Sequence, residues 1–411
     1  MELLIKNARV IDSSQDFIGD VYINKGIIYE IGKKLEKDCE VLDGEGYILA
    51  PSFVDLHSHF REPGYTYKED LLSGSRAAVR GGYTAVNLMA NTKPVCSSMN
   101  IIDNVLKRSK KINLIDIHQC ASITEDLLGK SIDHLGHLST AVRFISDDGK
   151  GVSDSRIMLD AMIAAKEKNL TIISHAENEE LVDVDTRLAE NMMTWRDISL
   201  SKFTNCKLHL AHVSTKEAMD DVIKGKQQGG RITCEVTPHH IALTEETKYR
   251  VNPPIRKAED VSFLIKAIKD GFVDVIATDH APHTAQDKIK GAPGISGLET
   301  SFPVCYTKLV GEGHITINKL SELMSKNPSK IMKLNKGEIK IGFDGDLVLL
   351  DTKSKYKIDS SQFLSKGINS PFDGKSVVGR VMCTIKAGRI IYKAKVETSD
   401  EWIANKMAKV E

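Results

Sequence analysis

Five short segments carry residues able to bind a divalent cation or move a proton. These are His57 and His59 in DLHSHFREPG, the aspartates of SDDGKGV, His175 in SHAE, His212 in HVSTKEA and Asp279 in ATDHAPH. Neutral imidazole nitrogens and carboxylate oxygens are preferred ligands of zinc in hydrolytic sites, where one position stays open for water. His57 and His59 are two residues apart, and side chains alternate along a strand, so both rings can enter one site. Four histidines and two aspartates suffice for two ions. A metal held this way lowers the pKa of water towards about 7 and polarises a carbonyl under attack. An HxH pair alone is a weak pattern; followed by His, His and Asp at later strand ends, in that order, it is a specific one.

These groups need elements that bring them together. From Pro51 onward, apolar runs alternate with helical stretches such as EDLLSGSRAAVRGG and SRIMLDAMIAAKEKN, the pattern of a parallel sheet covered by helices. Eight strands are predicted: ILAPSFVDLH, YTAVNLMA, INLIDIHQ, AVRFIS, LTIISH, CKLHLAH, ITCEVT and DVIATD. Eight strand–helix units over about 280 residues define an α/β fold, a (β/α)8 TIM-like barrel. In such a barrel, side chains from many strands converge only at the rim where strands end. His57 and His59 follow strand 1, Asn91 strand 2, Asp148 strand 4, His175 strand 5, His212 strand 6 and Asp279 strand 8. The chain outside the barrel reads as short β runs and turns. Segments 1–50 and 338–411 are therefore expected to form one composite β-sandwich beside a barrel of residues 51–337.

Other histidines fit this scheme less well. His118, His134, His137 and His314 are expected to be structural, and His209, three residues before His212, to face away from it. His239 and His240 follow strand 7 and can line the site, whereas His280 is expected to support it from behind. Lys+Arg and Asp+Glu are balanced at 56 each, which argues against nucleic acid or an anionic membrane as partner and favours a small-molecule substrate. The seven cysteines form no CxxC pair, as expected of free thiols in a reducing compartment. The opening MELLIKNARV is too apolar-poor for a secretory segment, and no run approaches the roughly 20 apolar residues of a membrane span, so a cytoplasmic protein is expected.

In DLHSHFREPG, NLMANTKP, SDDGKGV, SHAE, HVSTKEA, EVTPHH, VNPPIR and ATDHAPH, in this order and over essentially its entire length, the sequence resembles the class I dihydroorotases. The resemblance implies reversible cyclisation of N-carbamoyl-L-aspartate to L-dihydroorotate in de novo pyrimidine synthesis. It also implies one or two zinc ions, two being the expectation, held by His57, His59, Asp148, His175, His212 and Asp279. Asp279 would act as base and then acid, while Arg61, Asn91 and His283 would bind the substrate carboxylate. The related hydantoinases and allantoinases bridge their metals with a carboxylated lysine on strand 4. Here AVRFIS offers Arg143, whose guanidinium stays protonated and cannot take that role. The family pattern makes Asp148 the bridge, although spacing alone leaves Asp147 open. Lys150 reads as a solvated loop charge.

Three features depart from the family. Ala90 stands where proline is usual, the segment from Asn178 to Leu188 looks short, and GAPGISG lacks a common aromatic residue. A hydantoinase or allantoinase is one rival reading, but it needs no clamp for a ring carboxylate. A salt bridge with Glu62 or Glu69 is the structural alternative for Arg61. A non-catalytic scaffold for aspartate transcarbamoylase is the other rival, and such a protein should have lost ligands. The resemblance further implies a homodimer and leaves room for association with that enzyme.

Overall fold

The first strand expected from the sequence, ILAPSFVDLH, serves two different sheets. In the computed structural model, which describes residues 2–394, β5 (Ile48–Pro51) joins an outer sheet, and β6 (Phe53–Ser58) enters the barrel after a single intervening residue, Ser52. The outer sheet begins with β1 (Glu2–Ile11), β2 (Asp16–Asn24), β3 (Ile27–Gly32) and β4 (Glu40–Asp43). β5 pairs in parallel with β1 and antiparallel with a strand from the far end of the chain, Leu49 lying opposite Leu349. Residues 395–411, part of the expected C-terminal segment, lie outside the described residues, as does Met1.

The barrel continues with β7 (Tyr83–Leu88), β8 (Asp116–Gln119), β9 (Phe144–Ile145), β10 (Thr171–Ser174), β11 (Lys207–Leu210), β12 (Ile232–Val236) and β13 (Val275–Ile276). β6–β8 and β9–β13 pair in parallel within each run. Bridges from Ala121 to Ile145 and from Ser58 to His280 join the two runs, closing eight strands in a ring. Every residue of β6 and β7 is buried, as expected of parallel strands covered on both faces. The outer sheet is completed by β14 (Leu347–Lys357), β15 (Ser376–Lys386) and β16 (Arg389–Lys393), in the order β16-β15-β14-β5-β1-β2-β3 with β4 beside β1.

Most helices on the barrel exterior start where a side chain accepts from their free N–H groups. Asp70 caps α1 (Leu71–Arg80), and α2 (Met99–Ile112) follows. Asp154 caps α3 (Ser155–Glu167), Asp185 caps α4 (Thr186–Thr204) and Thr215 caps α5 (Lys216–Gln227). Thr237 caps the single turn α6 (Pro238–Ala242), and α7 (Ala258–Lys269) completes this set. One apolar core runs from the barrel interior to these helices, and a second, containing Leu3, Ile23, Leu49 and Leu349, fills the outer sheet. All seven cysteines are free thiols, and six are buried. Among the described residues, no helix is long and apolar enough to cross a membrane.

Candidate active site

The rim residues meet in one buried cluster centred on Asp148. Its Oδ1 lies 3.2 Å from His57 Nε2, 3.4 Å from His175 Nδ1 and 3.7 Å from His212 Nε2, while Oδ2 lies 3.4 Å from His59 Nε2. Asp279 Oδ1 stands 3.2 Å from His59 Nε2 and 3.5 Å from His57 Nε2. His175 Nδ1 and His212 Nε2 approach to 2.8 Å. Asp147, the competing aspartate, turns away and accepts from the backbone of Ile123 and Thr124. The turn that presents Asp148 depends on glycine: Gly151 has φ +71°, and a Cβ there would stand 2.8 Å from the carbonyls of both His175 and Glu177. Lys150 is exposed, and Arg143 reaches the carbonyl of Met332, away from the cluster.

Three of the converging residues hold backbone conformations uncommon outside glycine: Arg61 at φ +59°, His212 at +32° and Asp279 at +46°. Regular strand has ended before each, and the turn carries the side chain over the mouth. This explains a difference from the expected orientation of His209. β11 stops at Leu210, so strand alternation does not extend to His212. The ring of His209 lies inside the barrel and donates from Nε2 to Glu235 Oε2 at 3.0 Å.

Glu235 is the functional residue that motif reading passed over. It is completely buried on β12, and its Oε1 accepts from His57 Nδ1 at 2.6 Å. A carboxylate behind a ligating imidazole fixes its tautomer and orientation. The available signal was a lone acid in the otherwise apolar ITCEV strand. Asn252 is a second addition, its amide 3.4 Å from His175 Nε2.

The cluster keeps its carboxylates ionised. Burial alone would raise the Asp148 carboxyl, but the charge of His57 and the nearby imidazoles of His175 and His212 hold it well below the usual range. Asp279 is lowered likewise, its burial outweighed by His57 and His59. Burial would also raise Glu235, yet His57 and His209 lower it to about 2. His57 Nε2 and Asp148 Oδ1 are buried and have no hydrogen-bond partner, although they face one another. Two overlapping donor groups, His57–Asp148–His212 and His57–His59–Asp279, are each compact enough for one ion. The donor set and its unpartnered atoms therefore fit divalent metal.

A cavity of about 170 Å³ opens over the cluster, with Arg61, Asn91, Asn252 and His283 in its wall. Arg61 reaches the carbonyl of Pro282 through Nε at 3.3 Å and lies 3.2 Å from His283 Nε2. Neither carboxylate suggested as its partner is available. Glu62 pairs with Arg108, and Glu69 accepts from Ser73 and Ser365. Asn91 Oδ1 accepts from His59 Nδ1 at 2.9 Å, so this amide also positions that imidazole. His283 donates from Nε2 to the carbonyl of Pro293. Burial and the neighbouring Arg61 push its pKa down to about 3, so the ring is neutral. His239 is buried with Nε2 unpartnered, whereas His240 is bound to Thr237 and Pro253. His280 accepts from Gly297 N and faces Glu69, a supporting arrangement.

Residues 48–391 match the amidohydrolase family, and the chain belongs to that family. A dihydroorotase of Clostridium botulinum (strain Eklund 17B / Type B) is 57% identical over 397 residues, covering 96% of this chain and 100% of the relative. Dihydroorotases of Carboxydothermus hydrogenoformans and Ruminiclostridium cellulolyticum are 40% and 38% identical, each over 96% of this chain and 98% and 100% of their own lengths. Within the family, the chain's place is among the dihydroorotases. The fold is shared with an L-hydantoinase (dihydropyrimidinase) from Arthrobacter aurescens at TM-score 0.89 and 24% identity, over 96% of this chain and 97% of the other.

Proposed function

We propose that this chain interconverts N-carbamoyl-L-aspartate and L-dihydroorotate, with two zinc ions held by His57, His59, Asp148, His175, His212 and Asp279, as a step towards UMP. The observation that carries the substrate assignment is Arg61, a half-buried guanidinium beside the cluster without a carboxylate partner among the described residues. Its planar fork suits a ring carboxylate. A hydantoinase or allantoinase has no such need, and the full ligand set argues against a scaffold without activity. Zinc in this site would lower the pKa of water and polarise the amide carbonyl.

The chain's own groups then have separate tasks. Asp148, which reaches all four imidazoles, would contribute its carboxylate to holding the metal. Asp279 takes the proton of the attacking water on its carboxylate and returns it to the ring nitrogen as the C–N bond opens. Cyclisation reverses these steps. Asn91 steadies His59 and presents its amide to the substrate carboxylate beside Arg61. His283, neutral and with Nε2–H already given to Pro293, keeps an acceptor at Nδ1 and suits an N–H of the substrate.

The proposed division of the chain is a barrel of residues 51–337 and a composite outer domain from 1–50 and 338–411. Free buried thiols suit a reducing compartment, the cytoplasm. A homodimer is supported by an apolar stripe along α4: Leu188, Met192, Trp195 and Phe203 share one helical face and are 43%, 50%, 62% and 80% exposed.

The deciding experiment follows loss of ring absorbance as purified, zinc-supplemented protein hydrolyses L-dihydroorotate. Turnover that disappears with a chelator and returns with zinc is expected. Absence of turnover with metal stoichiometrically bound would overturn the assignment.

A further inference from the structure

At the opposite end of the barrel from the cluster, the starts of β9–β12 surround a cavity of about 670 Å³. Its wall carries six cations, Arg143, Lys168, Lys207, Arg231, Lys330 and Lys333. Among the described residues, none of the six forms an ion pair. Arg143, Lys168 and Lys207 reach only the Met332 carbonyl, the Gly136 carbonyl and the Asn169 side chain. The one carboxylate in the wall, Asp274, is engaged by Lys226. In a chain whose formal charges cancel, this is a local excess without a counter-charge. The cations also disfavour one another: burial lowers the pKa of Lys207, and Lys333 and Arg231 lower it further. Between them lie Phe144, Leu208, Ile232 and Ile331, which give the cavity an apolar part.

The proposed reaction uses none of these residues. The N-terminal end of a barrel ordinarily serves stability, where six mutually repelling charges are a cost. A concave site of ligand size combining apolar wall and concentrated positive charge is instead suited to an organic anion. We propose that this cavity binds a phosphorylated small molecule carrying two or more negative charges, at a site separate from the metal cluster.

Fructose 1,6-bisphosphate, which presents two phosphates on a small organic frame, is a suitable probe. Isothermal titration into the zinc-loaded full chain should show one site per chain, with affinity falling as salt rises. The double variant Arg231→Glu/Lys333→Glu should bind at least tenfold more weakly while hydrolysing dihydroorotate at the wild-type rate. Both positions are exposed. Should that variant melt early, Lys330→Gln, also exposed, carries the same comparison with an expected severalfold loss. Absence of binding, or equal affinity in wild type and variants, would overturn the proposal. So would a single-stranded oligonucleotide displacing the bisphosphate at lower concentration, which would make the face a nucleic-acid surface.

Discussion

His57 is held at Nδ1 by Glu235, 2.6 Å away, and faces Asp148 Oδ1 at 3.2 Å with its other nitrogen unpartnered. One imidazole is thus fixed from behind and open in front. Glu235 also receives His209 and the backbone N–H of His212, so one carboxylate aligns two of the proposed ligands.

Glu235→Gln should therefore weaken zinc binding by about 10–100-fold without unfolding the barrel. Activity measured against buffered free zinc should shift to higher metal concentration and recover largely at saturation. An unchanged zinc curve would remove Glu235 from this role.

Asp279→Asn should reduce turnover by about 10³-fold or more, within the range attributed to a general acid–base group. Binding of dihydroorotate, followed by calorimetry on zinc-loaded protein, should remain within a few fold of wild type. A near-normal rate would sink the assignment.

Arg61→Met should raise KM more than it lowers kcat, with kcat/KM falling by about 10²-fold, as expected for loss of a charge-assisted bidentate contact of roughly 2–3 kcal/mol. The rate with dihydrouracil, which lacks the ring carboxylate, should hardly change. Equal losses on both substrates would mean that Arg61 only supports the loop.

Glu299 gives the fold a pH dependence outside the metal cluster. Burial raises its carboxyl from 4.5 to about 7, despite N–H groups from Leu364 and Ser365 and the nearby Arg80. Its folded pKa lies above the unfolded one, so its contribution is fully present below about 4.5 and is lost as pH rises through about 7. The loss is on the order of 3 kcal/mol at most. Melting temperatures from pH 5 to 8 should show wild type falling relative to Glu299→Gln; parallel curves would contradict this.

Trp195→Glu places a charge in the middle of the exposed α4 stripe. Sedimentation should show a dimer for wild type and a monomer for the variant, with the monomer's melting temperature little changed. A wild-type monomer would leave the stripe without this role.

The sequence made the barrel legible because parallel strands are continuous apolar runs and their ends carry the proposed ligand residues. It did not show that ILAPSFVDLH divides between two sheets, since both halves are apolar and only the tertiary pairing of Leu49 with Leu349 separates them. Strand boundaries were long for the same reason: AVRFIS contributes only Phe144–Ile145 to pairing. Spacing could not choose between Asp147 and Asp148, because a turn of Gly149 to Gly151 decides which carboxylate faces inward. Glu235 escaped notice because its partners, His57 and His209, are joined to it only across the barrel.

The outer sheet has a consequence for how the protein is made. Its central strand β5 pairs with β14, and Ser52, the link to the first barrel strand, donates to the Asp346 carbonyl. β5 therefore leaves the ribosome long before its partner β14 exists. Until β14 emerges, β5 is an apolar strand lacking one of its native neighbours, the kind of non-local pairing that slows folding and exposes a chain to aggregation. A chain ending before Leu347 would lose the anchor of its first catalytic strand, so premature termination even far beyond Asp279 should leave no working enzyme.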